Sequence, residues 1–333
     1  MDIRDIAAAS GYGVGTVSRV INNQPNVSDR ARKRILAVMA ECGYEPNSNA
    51  RYLKMRSQTP ITAFVMGVGN RLFDDIIGPL QAALAAADEE MAVTYLDDDS
   101  REVHAAIDYQ QTRRPKGMVF LGGEPRYFRE SFHEIEVPCV LVTNSAADLG
   151  FDNLSSVTID NEAAAARAVG HLWERGHRRI GVIGGDRAEN SISSQRLRGA
   201  ERALRERGVE LDFERDYEPC AFLEDAGYNA ARRLLERTSD LTAVFALGDV
   251  IAFGALRALA DQGLSVPGDI SLVGFDDTSF SQFSVPRITT IRQSAELLAE
   301  RSAQILLDGM GGSPAVHEVV PFQLIERESV RSI

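Results

Sequence analysis

Along the first 45 residues the apolar positions recur with a helical period. IRDIAAA (3–9) and VGTVSRVIN (14–22) each place apolar residues three and four apart, and only Ser10, Gly11, Tyr12 and Gly13 separate them. Val27-Ser28-Asp29 predicts a third helix. Ser28 can accept from its first free amides, Asp29 suits the positive end of its dipole, and Gly43 ends the stretch ARKRILAVMAECGY. Pro46-Asn47 then breaks the chain, and the polar, basic stretch 48–59 lacks a strong apolar stripe. It reads as a linker, or as a helix that forms only when something supports it.

From Ile61 the rhythm changes to short apolar runs that alternate with amphipathic helical stretches. The runs are ITAFVMG (61–67), MAVTYL (91–96), GMVFL (117–121), PCVLV (138–142), RIGVIG (179–184), LTAVFAL (241–247) and ISLVGF (270–275). FDDIIGPLQAALAAADEE, NEAAAARAVGHLWERG, SSQRLRGAERALRERG and DVIAFGALRALADQG lie between them. Such alternation implies parallel sheets with helices on both faces. About ten units exceed one ordinary sheet, so two α/β lobes are expected, with ligand bound in the cleft beyond the carboxyl ends of the strands.

Composition narrows the class. With 333 residues, 44% hydrophobic and 25% charged, the chain is long enough for two packed domains and unlike a disordered or fibrous sequence. No run approaches the ~18 apolar residues of a membrane span, and the start Met-Asp-Ile-Arg-Asp is charged where a signal peptide is apolar. A soluble cytoplasmic protein without membrane contact is expected. Cys42, Cys139 and Cys220 are scattered and show no CxxC spacing, which fits reduced, buried thiols. Trp173 is expected in the core.

The net charge of −12 argues against a nucleic-acid partner only until it is divided. Residues 1–58 carry nine Lys and Arg against five Asp and Glu, a net +4, so the rest of the chain is −16. A basic head on an acidic body suggests an anionic partner for the head. In that head Ala7, Gly11, Val17 and Val20 suit a helix-turn-helix: small where helices cross, Gly in the turn, apolar inside. The outer positions Val14, Gly15, Ser18 and Arg19 would then meet base edges, Arg19 as a fork for guanine and Val14 against a thymine methyl. Thr16, Ser18 and Asn22 can donate to phosphates, which fix register. A surface helical hairpin without a ligand would show the same apolar pattern.

From Ile3 to Leu53 the sequence resembles the DNA-binding head of the lactose/galactose repressor (LacI/GalR) family, through IRDIA, GTVSRVIN, the Val-Ser opening helix three, and GYEPNSNARYLK. VTIDNEAAAARAVGHLWERGHRRIGVIGG, SSQRLRG, DLTAVFALGD and DISLVGFDDTSFSQFSVPRITTIRQ carry the resemblance through the body in the same order. It implies a helix-turn-helix domain (1–45), a hinge (46–59) and an effector-binding and dimerisation body (60–333) of two periplasmic-binding-protein-like lobes joined by three crossovers. The first lobe would hold about 60–160 and 293–320, the second about 161–292 and 321–333. In the hinge, Leu53 would wedge into the minor groove with Ala50 one turn earlier, and Asn47 and Arg51 would also meet DNA. Gly13 departs from the Ser that usually caps the recognition helix, Tyr12 from a Val, and Tyr52 from a smaller residue.

For the effector the resemblance implies Arg196, three residues before Gly199, and Asp276, the first acid of GFDD. Leu72, Phe73 and Phe245 would supply apolar or stacking walls, and Thr143 would follow its strand into the cleft. A guanidinium fork can hold adjacent hydroxyls or a carboxylate, and Asp276 can accept hydroxyl protons. A salt bridge for Arg196 and a loop cap at Asp276-Asp277 are the structural alternatives. Gly248 departs from the Asn of sugar-binding relatives, which leaves a purine or other metabolite open beside a sugar.

The expected function is a ligand-responsive transcriptional regulator, a repressor, acting as a homodimer on a pseudo-palindromic double-stranded DNA operator. No cofactor or metal is expected: Gly11-x-Gly13-x-Gly15 follows no strand, His171 and His177 are isolated, and Asp97-Asp98-Asp99 reads as a solvated turn. An α/β enzyme is the weaker alternative, since no GxSxG elbow or clustered acid-base set is present. A solute-binding protein would share the body but not the basic head.

Overall fold

A computed structural model of the chain describes residues 3–13, 16, 17, 20, 27–42, 60–67, 70–97, 101–187 and 191–333. It divides into two compact units, residues 1–59 and 60–333. In the first unit, α1 (Ile3–Ser10) and α2 (Asp29–Glu41) pack around Ile6, Val17, Val20, Ile35 and Val38, all nearly inaccessible, with Ala7 beside them. Gly11 takes φ +75° and returns its amide to Ala7 O at 3.0 Å. A Cβ there would meet nothing within 4 Å, so the backbone angle, and not space, calls for Gly. Gly13 O then accepts from Thr16 N and Val17 N at 2.8 and 3.1 Å, so a backbone carbonyl opens the next helical stretch where the family's Ser would add a side chain. Ser28 Oγ accepts from Ala31 N at 3.4 Å, the cap predicted for helix three.

The second unit holds two six-stranded sheets. The first has the order β11-β5-β4-β3-β1-β2: β1 (Ile61–Met66), β2 (Met91–Leu96), β3 (Met118–Leu121), β4 (Cys139–Val142), β5 (Leu154–Ile159) and β11 (His317–Val320), all parallel. The second has the order β12-β10-β9-β8-β6-β7: β6 (Ile180–Ile183), β7 (Tyr217–Glu218), β8 (Ala243–Ala246), β9 (Ser271–Asp276), β10 (Thr289–Gln293) and β12 (Phe322–Ile325), with β12 alone antiparallel. The first lobe is covered by α3 (Arg71–Ala86), α4 (Glu102–Arg113), the short α5 (Pro125–Ser131) and α11 (Ala295–Met310). The second is covered by α6 (Asn161–Glu174), α7 (Ile192–Arg205), α8 (Glu224–Arg237), α9 (Asp249–Asp261) and α10 (Ser279–Phe283). The chain passes between lobes three times, after β5, after β10 and between β11 and β12. This is the doubly wound, two-lobed periplasmic-binding-protein-like architecture.

Strands β3, β4 and β8 are apolar throughout and, like β1 with its single Thr62, are buried on both faces, as parallel strands between helices must be. Strand β5, LSSVTI, is fully buried despite three hydroxyl residues, because each hydroxyl has a partner. Ser155 takes Val316 N at 3.0 Å, Ser156 takes Ala146 N at 3.1 Å, and Thr158 donates to Thr143 O at 2.8 Å. Trp173 is half-buried, its ring covered by the Arg178 guanidinium at 3.8 Å. Of the free cysteines Cys139 is buried, Cys220 partly buried and Cys42 exposed, so burial does not hold for all three. Among the described residues no helix is long and apolar enough to cross a membrane, and no cluster of three or more His, Cys, Asp or Glu is placed to hold a metal.

Candidate functional site

The carboxyl ends of both sets of strands meet. Asn144, just after β4, accepts through Oδ1 from Gln195 Nε2 of α7 at 3.1 Å, and Glu124, after β3, lies in the field of Asp186, after β6. Arg71, at the start of α3, reaches the ring of Phe280 in α10 at 5.5 Å.

Arg196 lies on the floor of this junction, 3% exposed. Its position follows from helix packing. Gly199 lets α7 approach α6 so closely that a Cβ would stand 2.1 Å from Glu162 O, and this brings Asn161 Oδ1 to 3.0 Å from Arg196 Nε. Nη1 donates to Leu247 O at 2.6 Å and Nη2 to Asp276 Oδ1 at 3.3 Å, while the guanidinium carbon stands 3.7 Å from the centre of the Phe275 ring. A buried cation with this many partners remains charged, although burial lowers its pKa against the pull of Asp276 and Asp249.

Asp276 adopts φ +110° at the end of β9, and its Oδ1 also receives Gln293 Nε2 at 2.7 Å. Burial raises its pKa, with Arg196 and Gln293 holding the rise back. Asp277 has a different task. It binds Arg292 and Arg327 at 2.6 and 2.5 Å and accepts from Ser281 Oγ at 3.2 Å, so it ties α10 to the sheet. Thr143, too, is left-handed at φ +75°, a strained conformation for a β-branched residue, held by its amide on Val157 O and its carbonyl on Thr158 Oγ1. Strain of about 1–3 kcal/mol per residue at two facing strand ends marks a site that the fold over-determines.

The structure therefore brings Arg196 and Asp276 together, with Thr143 buried beside Asn144 at the facing strand end. Phe245 has no exposed surface; its ring packs 6.5 Å from Phe275, beneath the guanidinium. Leu72 and Phe73 are buried at the start of α3, and Phe73 fills the space where a Cβ on Gly122 would stand. Thr16 is half-buried in the head. Val14, Gly15, Ser18, Arg19 and Asn22, together with Asn47, Ala50, Arg51 and Leu53, lie outside the described residues.

Sequence reasoning missed several groups here. Asn161 and Gln293 look like any capping or edge residue, and only the fold aims them at Arg196 and Asp276. Phe222 follows β7 and stands where a Cβ on Gly248 would meet its ring at 2.9 Å, with Asp276 Oδ2 at 3.6 Å from the same point. Gly248 has φ −163°, which any residue can adopt, so its smallness makes room for that ring. Asp249, wholly buried, accepts from Thr278 N and Thr290 Oγ1 at 2.8 and 2.7 Å, and burial plus the Asp276 charge push it up to about 8. Glu102 begins α4, accepts from Glu124 N at 2.6 Å, and is pushed up to about 7 chiefly by burial. Its Oε2, like Gln293 Oε1, is buried without a hydrogen-bond partner.

Comparison with known proteins agrees with this arrangement. Residues 2–47 match the family model for bacterial regulatory proteins of the lacI family, and residues 169–330 match that of a periplasmic binding protein-like domain. The chain is 35% identical over 341 residues to the HTH-type transcriptional regulator MalR of Clostridium butyricum, covering 100% of both chains. It is 31% identical to the HTH-type transcriptional repressor CytR of Escherichia coli K12, over 99% of this chain and 96% of that one. A solved structure of the transcriptional regulator CelR in complex with cellobiose superposes with a TM-score of 0.71 at 29% identity, covering 99% of each chain.

Proposed function

The chain belongs to the LacI family of bacterial regulatory proteins, and from that premise we propose how this effector-controlled, DNA-binding transcriptional regulator works. It acts in the cytoplasm as a repressor and not as an enzyme. Two copies place their heads (1–45) on the half-sites of a pseudo-palindromic operator. Val14, Gly15, Ser18 and Arg19 read bases, while Thr16 and Asn22 hold phosphates. The hinge (46–59) brings Asn47, Ala50, Arg51 and the Leu53 wedge to the minor groove. Exposed Phe283 and Val285, 82% and 91% accessible, support a second copy as the partner, since large apolar side chains are seldom left so open.

The observation that carries the effector reading is the buried Arg196–Asp276 pair where the strand ends of the two lobes meet. A ligand seated there touches the second lobe through that pair and the first through the Thr143 and Leu72–Phe73 segments, so it biases the angle between lobes. A sugar or sugar derivative is the first effector, supported by the similar regulator whose structure is a complex with cellobiose. Gly248 and Phe222 support a flat metabolite such as a purine as the second reading. Mobility shifts on DNA with half-sites about 10 bp apart test the scheme. Specific, salt-dependent binding that a small molecule releases supports it; binding that ignores sequence overturns it.

A further inference from the structure

A run of hydrogen bonds joins a buried acid to the contact between the lobes. Glu102, the first residue of α4, has no exposed surface, and its Oε1 accepts from Glu124 N at 2.6 Å. That amide belongs to the Gly123–Glu124 peptide, whose carbonyl accepts from Asn144 Nδ2 at 3.4 Å. Asn144 Oδ1 in turn accepts from Gln195 Nε2 of the second lobe at 3.1 Å. The donors all point the same way, so each bond polarises the next. Apolar contacts hold the rest of the segment: a Cβ on Gly122 would strike the Phe73 ring, and one on Gly123 would stand 2.8 Å from the Phe128 ring.

Glu102 itself is incompletely matched. Among the described residues its buried Oε2 has no hydrogen-bond partner, so an ionised carboxylate there keeps one oxygen dry. The charges that act on it are those of Glu124 and Arg126 on the neighbouring segment. Arg101, beside it in the chain, is turned to Glu130 at 3.8 Å and to the Tyr127 ring. Asp186 of the second lobe, itself engaged, acts on Glu124.

We propose that Glu102 is the positioning residue of the lobe contact and links that contact to protons. Protonated, it stays buried and holds the Gly123–Glu124 peptide under Asn144. Ionised, it draws in water and lets that peptide go, so the joined arrangement weakens as pH rises. Burial is the main cause that pushes Glu102 up to about 7; Glu124 adds to it, while its own amide, the Glu124 amide and Arg126 oppose it. Once hydrated it returns to about 4.5, so the joined form holds the proton about 300-fold more tightly. The contact is then strongest below pH 4.5, loses that advantage between 4.5 and 7, and is level above. Polarisation along the chain favours an ionised acceptor, but at about 10–30% per bond it is the smaller effect. The link holds whether or not a ligand sits on Arg196 and Asp276.

Hydrogen exchange of the full chain at pH 6 and pH 8, corrected for intrinsic rates, needs no ligand. In the parent, protection of segments 122–124 and 143–147 should fall about tenfold between those values. The first turn of α7, 192–195, should lose protection with them, because Gln195 loses its anchor. Gln195→Ala should remove the pH effect in that turn and leave it at 122–124. Glu102→Gln keeps an acceptor for Glu124 N but no titrating proton, so its protection should agree within about twofold at both pH values. The same variant separates Glu102 from Asp249, which is pushed up to about 8 and titrates in the same range. Equal protection at both pH values in the parent, the parent's pH dependence retained in Glu102→Gln, or a first turn of α7 that ignores pH overturns the proposal.

Discussion

Gln195→Ala isolates the contact between the lobes. The native bond runs from Gln195 Nε2 to Asn144 Oδ1 at 3.1 Å, and Asn144 Oδ1 keeps Ser145 N at 2.9 Å after the change, so no buried group is stranded. Alanine also suits the first turn of α7. The loss should therefore be that of one neutral hydrogen bond, about 1 kcal/mol, which is roughly a fivefold change in the ratio of joined to separated lobes. Asn144→Ala is a poorer probe, because Asn144 is buried and also donates to Gly123 O. Hydrogen exchange reads the ratio without any effector. Amides of the loops at 122–124 and 143–147 should exchange up to about fivefold faster in the variant, while β11 and β12, the edge strands of the two sheets, stay unchanged. An effector that bridges both edges binds the joined arrangement, so the concentration needed to release operator should rise by up to the same factor. Exchange unaltered within twofold in both loops would show that the bond does not hold the lobes in solution.

Glu102→Gln addresses a buried acid. With its pKa raised to about 7, the folded state holds a proton that the unfolded chain loses near pH 4.5, so native stability falls between those values. The variant should be more stable than the parent at pH 8, by up to about 3 kcal/mol, and nearly equal to it at pH 4.5. Urea unfolding at both pH values checks this, and a pH-independent difference would refute it. Arg196→Ala leaves the Asp276 carboxylate buried and unpaired, at about 3–5 kcal/mol in unfolding. Arg196→Met with Asp276→Asn should recover most of that stability and still give no effector response; a normal response would move the ligand site elsewhere. Arg19→Ala should weaken operator binding by about 1–3 kcal/mol while sparing non-specific affinity, and an equal loss of both would defeat base readout by Arg19. Leu53→Ala should reduce operator affinity and bending without lowering the melting temperature of the body; normal bending removes the wedge.

Apolar periodicity exposed the seven mainly apolar runs, since a parallel strand covered on both faces is a nearly continuous run. It did not expose β5, β10 or the short β7, because their hydroxyls and polar residues are satisfied only by groups distant in sequence. Ser155 and Val316 are one example, and Thr290 Oγ1 on Asp249 at 2.7 Å is another. Helix α4 likewise carries a weak stripe, and α8 buries mostly small residues. At the site, Arg196 and Asp276 were legible only through family resemblance. A salt bridge and a loop cap were fair alternatives, and the structure distinguishes the two acids of GFDD: Asp277 is the tie and Asp276 faces Arg196. Phe222 and Gln293 became visible only when β7 was placed beside β6 and β10 beside β9, the strand that ends at Asp276.

The energies also limit how the switch can work. Moving a two-state regulator from 1:99 to 99:1 takes about 5.5 kcal/mol of differential binding. The Asn144–Gln195 bond is made without ligand and adds nothing to that difference, so the ligand itself must supply all of it. Neutral hydrogen bonds at about 1 kcal/mol each mean about five or six that exist only when both strand edges are engaged. In the proposed scheme a ring with several hydroxyls would do this by bonding to Asp276 and Gln293 on one side and to the Thr143–Asn144 segment on the other. A ligand held by the Arg196 pair alone would bind but leave the lobe angle free. Gln195 and Arg196 are adjacent in one turn of α7, so the residue proposed to hold the ligand and the residue that bonds to the opposite lobe move as one body. Occupancy and lobe angle are therefore set together, and a compound that fills the site without reaching Thr143 should compete with the effector and release no operator.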